Sequence, residues 1–171
     1  FYELLQSISN LKDTNIIFTK SNSDHDGRII NKMIDDFVLM NSNSVAFYSL
    51  GQLRYLSALS YIDAIVGNSS SGLLEAPSFK IGTINIGDRQ NGRIKAPSVL
   101  DCDPNVNSIN EAFDVLYSQD FQTTLVGVRN PFDHGGASKK INKHGNTDKG
   151  INCRILGICL CFKALLARPT P

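Results

Sequence analysis

An α/β domain built on a doubly wound parallel sheet is what the sequence predicts. Short apolar runs alternate along the chain with segments of helical period, the pattern that such a sheet requires. The most apolar run, Ile62 to Gly67, is interrupted only by Asp63 and reads as a strand buried on both faces. Polar turns rich in Ser, Asn and Gly follow several of these runs, where ligands of open α/β sheets bind.

Taken in order, apolar residues at 1, 4, 5, 8 and 11 give Phe1 to Leu11 a helical period. Asp13-Thr14-Asn15 ends it, and Asn15 to Thr19 reads as a buried strand. The polar loop Ser21 to Gly27 carries helix-starting residues, and Arg28 to Met40 follows as a helix with Ile29, Ile30, Met33, Ile34, Phe37 and Val38 on one side. Val45 to Tyr48 is the next strand and Ser49 to Ser60 the next helix. A helix starting near Ser70 and carrying Glu75 follows the central strand, and Gly82 to Gly87 is a further strand that enters the basic loop Asp88 to Arg93. Ser98 to Cys102 reads as one more strand, and Asn107 to Leu116 as a helix capped by Asn107 or Ser108, with Glu111 in its first turn. The loops at 21–27, 67–72 and 87–93 all follow strands and should meet at one sheet edge.

The totals narrow the function classes. A chain of 171 residues fits one domain with a real core, and 42% apolar and 19% charged residues are ordinary for a globular protein. A formal charge of +1 gives no reason to expect nucleic acid or an anionic membrane as partner. No apolar run approaches a membrane span, and no signal peptide is visible. The first residue is Phe rather than Met, so a fragment is expected. Cys102 stands alone while Cys153, Cys159 and Cys161 crowd the tail, which is no disulfide framework and suits a cytoplasmic protein. From about Asn142 the apolar period is lost, so residues 1–141 are expected as the domain and 142–171 as an unassigned tail. That tail admits a short helix from Ile155 to Ala167, or sequence from an altered reading frame or a fusion.

Asn68-Ser69-Ser70-Ser71-Gly72, between a strand and a helix start, has the makings of an anion site. Helix-start N–H groups point outward, the dipole adds positive charge, and small side chains let a phosphate approach. Serine hydroxyls add donors. Glu75 lies five residues beyond Ser70, roughly 7–8 Å along a helix axis, a reach that suits a carboxylate accepting from ribose hydroxyls while a diphosphate occupies the turn. Arg89 and Arg93, beside Gly87 and Gly92, add charge-assisted donors. The same residues also serve as a plain strand-to-helix turn, a solvated Glu and surface arginines, and the spacing alone leaves both readings open. Asn68-Ser69-Ser70 matches a glycosylation sequon, but nothing indicates a secreted loop. His25, His134 and His144 share no metal-ligand spacing, and Cys159-Leu160-Cys161 lacks the usual spacer, so neither a metal nor a cofactor is expected.

Four stretches carry a resemblance. They are Asn22 to Gly27, Gly67 to Phe79, Thr83 to Arg93, and Asn130 to Ile141, and together they resemble the hydrolysing UDP-N-acetylglucosamine 2-epimerases that begin sialic and legionaminic acid synthesis. The likeness spans about residues 1–141. It implies two facing Rossmann-like domains of the glycosyltransferase-B kind, with this chain as the C-terminal half and UDP-sugar as substrate. By motif, Ser69 and Ser70 would hold the diphosphate, Glu75 the ribose, and Arg89 the nucleotide phosphates. Asn22 would face the cleft near the sugar, and Leu50 would offer backbone contacts to uracil. Family members eliminate UDP to a 2-acetamidoglucal, then add water to give N-acetylmannosamine or its 2,4-diacetamido analogue. The family's acid/base residues lie in its N-terminal half, so no catalytic residue is expected here, the fragment alone is expected to be inactive, and the parent is expected to be a homo-oligomer. Rival readings are the nucleotide-binding half of a UDP-sugar glycosyltransferase and a truncated non-catalytic fragment.

Overall fold

The computed structural model describes residues 1–21, 25–133, 135 and 163–167, with backbone alone at 25, 26 and 163–167. Its elements are α1 (Tyr2–Ser9), β1 (Asn15–Thr19), α2 (His25–Met40), β2 (Ser44–Phe47), α3 (Gly51–Leu59), β3 (Ala64–Gly67), α4 (Ser71–Leu74), a 3₁₀ turn (Ala76–Phe79), β4 (Gly82–Ile86), β5 (Val99–Cys102), α5 (Val106–Leu116), α6 (Gln119–Gly127) and β6 (Lys163–Ala167). The strands form one sheet in the order β2-β1-β6-β3-β4-β5. β1 and β2, β3 and β4, and β4 and β5 pair in parallel.

Period-2 alternation sends the strand side chains to two separate cores. Phe18, Val66 and Ile84 join Leu4, Leu5 and Ile8 of α1, Ile34 of α2, Ile109 and Phe113 of α5, and Phe121 and Leu125 of α6. On the opposite face Ile65 packs with Leu59, Ile62, Ala76 and Ile81, and Ile17 and Leu56 lean against them. Helices therefore cover both faces, the doubly wound arrangement that the alternating pattern predicts. β3 is buried at every position, whereas edge strand β2 alternates half-buried with exposed residues. That contrast follows from their places, one inside the sheet and one at its rim.

The tail supplies a departure. Lys163–Ala167 is a strand rather than the end of a helix, and it pairs antiparallel with both β1 and β3. Ala164, Leu165 and Leu166 stand opposite Phe18, Ile17 and Ile16 on one side and Val66, Ile65 and Ala64 on the other. An apolar run between two β-branched-rich strands gains ladder bonds on both sides, which no isolated helix of that length would match.

Two helix starts also differ from expectation. α5 begins at Val106 and its cap is Asn105, whose extended backbone lets the side chain accept from Ser108 N–H at 2.9 Å. Glu3 of α1 accepts from Val106 N–H at 3.2 Å, a cap that comes from the far end of the sequence. α6 was not apparent from apolar spacing, because it buries only Phe121 and Leu125; its Ser118 cap accepts from Phe121 N–H at 3.3 Å.

Cys102, at the end of β5, is buried, and burial followed by Asp103 and Asp101 pushes its thiol from an ordinary 9.0 up to about 11. The unfolded chain ionises this thiol first, so the folded state loses stability as pH rises from about 9 to about 11. Thermal melts across that window should show a drop that is smaller in Cys102→Ala. An equal drop in both chains would refute the assignment.

Candidate functional site

Because β1, β2, β3 and β4 run parallel, the residues after each emerge at one edge. Lys20 and Ser21 leave β1 there, Leu50 follows β2, Asn68 to Ser70 follow β3, and Gly87 to Arg89 follow β4. Asn22 lies outside the described residues. A cavity of about 290 Å³ opens at this edge and is lined by Gly67, Asn68, Gly87, Asp88 and Arg89, with Leu4 and Ile109 in its apolar wall. It brings Arg89 to Asn68 at the head of the serine turn, while Ser69, Ser70, Glu75 and Leu50 lie outside its lining.

Within the turn the serines divide their tasks. Ser69 is 3% exposed, and its hydroxyl accepts from Ser71 N–H at 3.3 Å, so that oxygen shapes the turn. Ser71 is also buried and its hydroxyl bonds to Tyr55 of α3. Ser70 is half-buried, and its hydroxyl makes no capping bond to α4. It is the least buried of the three serines.

The helix that follows is shorter than the spacing suggests. α4 covers four residues, Glu75 is its C-terminal cap, and the chain tightens into the 3₁₀ turn at Ala76. Pro77 is the cause, since it lacks the N–H that a continuing α-helix needs and disfavours α geometry at the residue before it. The axial-rise estimate from Ser70 to Glu75 therefore fails, and so short a helix supplies little dipole. Positive charge at this edge comes from side chains instead. Glu75 remains half-buried rather than sealed in the core.

Leu50 is half-buried against the second core at the start of α3. Arg89 is exposed, beside exposed Asp88. Lys20, a further cation at the edge that composition alone did not single out, is already held by Asp35 at 2.6 Å and lies 4.3 Å from the Tyr48 ring centre. The Asp35 hydrogen bond raises its pKa, so it stays charged but committed. Asn130 donates to Leu74 C=O and Ser78 Oγ, both at 2.7 Å, and so ties the distant 129–133 segment to both sides of Glu75.

Residues 1–144 match the family described as UDP-N-acetylglucosamine 2-epimerase. The chain belongs to that family. It is 39% identical over 120 residues to a GDP/UDP-N,N'-diacetylbacillosamine 2-epimerase (hydrolyzing) of Campylobacter jejuni, covering 70% of this chain and 31% of the relative. It is 37% identical over 134 residues to a polysialic acid biosynthesis protein of Escherichia coli, covering 76% of this chain and 33% of that one. The chain thus spans about a third of the length of these relatives. In fold it resembles UDP-GlcNAc 2-epimerase of Neisseria meningitidis, solved with UDP-GlcNAc bound, at TM-score 0.63 and 20% identity, over 83% of this chain and 39% of that one. The α/β architecture is accordingly the Rossmann-like half of a glycosyltransferase-B type fold. Among the described residues no helix is long and apolar enough to cross a membrane, and no group of three or more His, Cys, Asp and Glu gathers as for a metal ion.

Proposed function

We propose that this epimerase-family chain is the UDP-binding domain of a hydrolysing UDP-N-acetylglucosamine 2-epimerase. The observation that carries the reading is the Asn68–Gly72 turn, which emerges at the same sheet edge as Leu50 and Arg89, with half-buried Glu75 three residues beyond it. In this reading Ser70 and Arg89 hold the diphosphate, with Ser69 shaping the turn beneath it. Glu75 accepts from the ribose hydroxyls, the Leu50 backbone meets uracil, and Asn22 faces the sugar.

The chemistry assigned to the domain is departure of UDP. As the bond from C1 to the diphosphate breaks, negative charge grows on the leaving oxygens, and fixed donors aimed at that charge lower the barrier. Arg89 adds charge-assisted bonds of the stronger class. No residue of this chain is assigned to proton abstraction at C2 or to the later addition of water; those roles belong to the facing domain of the whole protein. The similarity to a relative named for N,N'-diacetylbacillosamine supports a 2,4-diacetamido sugar as substrate, with the plain 2-acetamido sugar as the other form.

Calorimetric titration of the chain with UDP tests the site. Binding should be weak but measurable, and Ser70→Ala and Glu75→Ala should each weaken it. One hydrogen bond to a charged group is worth about 1–3 kcal/mol, or ~5- to 150-fold in affinity. Unchanged affinity in both variants would refute the site.

A further inference from the structure

Strand β4 and the loop after it reach back and hold the serine turn at both ends. Gln90 is 2% exposed, and its Nε2 donates to the Asn68 carbonyl at 2.7 Å. Thr83 is likewise 2% exposed, and its Oγ1 donates to the Gly72 carbonyl at 2.9 Å. These two carbonyls bracket Ser69, Ser70 and Ser71, so the segment between them is pinned to its neighbouring strand by side chains rather than by the β3–β4 ladder, which ends at Gly67. The Gln90 amide oxygen has no hydrogen-bond partner among the described residues. The side-chain donor of Gln90 is thus committed to holding the start of the turn. Gln90 also follows Arg89 directly, so a single bond fixes the spacing between the loop that carries the arginine and the turn that carries Ser70.

We propose that Gln90 and Thr83 are positioning residues that set the serine turn and Arg89 at a fixed separation for the phosphate end of the ligand, without themselves touching it. The inference rests on the UDP reading above and adds to it. A turn held at both ends loses little freedom when a diphosphate arrives, which is how preorganisation strengthens binding.

Gln90→Met and Thr83→Val keep side-chain size while removing each bond. Gln90→Met removes the unsatisfied oxygen together with the donor, and Asn68 itself lines an open cavity, so the melting temperature should change little. Saturation-transfer NMR titrations of the full chain with UDP and with uridine supply the deciding readout. In both variants the affinity for UDP should fall about tenfold, while that for uridine, which lacks phosphates, should stay within about twofold. Equal losses for both ligands would show general loosening and overturn the proposal. Unchanged UDP affinity in both variants, with Glu75→Ala still impaired, would overturn it and leave the UDP site standing. Failure of the unaltered chain to bind UDP would remove both. Should Gln90→Met not fold, the Thr83→Val comparison decides alone.

Discussion

Gly72→Ala is expected to destabilise the chain by about 1–3 kcal/mol, the range for overpacking a filled interior, and to remove measurable UDP binding. A Cβ at position 72 would come within 2.5 Å of Thr83 Cγ2 and 3.3 Å of its Oγ1. Thr83 is buried and its hydroxyl is bonded to the Gly72 carbonyl, so it cannot swing aside without breaking that bond. The extra methyl must push α4 away from β4, and Ser70 and Ser71 move with it. Denaturant unfolding and a UDP titration of the same sample would measure both effects. The second change Thr83→Ser, which deletes Cγ2 and keeps the hydroxyl, should restore much of the loss. Near-native stability of Gly72→Ala alone would show that the close approach is not enforced.

Phe18→Ala should have the largest effect on stability, about 3–5 kcal/mol. Phe18 is fully buried in β1, and its ring meets Phe37 of α2 edge-on, with centroids 5.6 Å apart at 75°. Truncation removes the transfer energy of the ring, leaves a cavity between sheet and helix, and forfeits an aromatic pair worth ~0.5–1.5 kcal/mol. Against a typical domain stability of 5–15 kcal/mol this is a large share. Leu53→Ala, at an 80% exposed residue of α3, is the control and should stay within about 0.5 kcal/mol of the unaltered chain. A Phe18→Ala chain whose unfolding midpoint matches that control would contradict the core assignment.

Much of the candidate site was legible because its chemistry is short-range in sequence. The Asn68–Gly72 turn and Arg89 follow strands whose apolar runs are themselves readable. Spacing predicts a helix from Ser70 through Glu75, but the α-helical turn ends at Leu74. Pro77 stands in plain sight in the sequence, and its missing N–H was the signal that would have shortened the helix. The capping error at α5 was of the same kind, since Asn105 follows Pro104 and offers an extended cap earlier than Asn107.

The amino-acid sequence by itself determined where strands and helices alternate, hence the doubly wound class and the shared edge of the loops, because side-chain period and turn chemistry act over a few residues. Only the tertiary structure decided which side chains grip the turn: Gln90 bonds across 22 positions, Asn130 across 56, and Glu3 caps a helix 103 residues away. It also decided that Lys163–Ala167 joins the middle of the sheet. Such pairings depend on which elements packing brings together, and a hydrogen-bonding side chain carries no local mark of the distant carbonyl that it will meet.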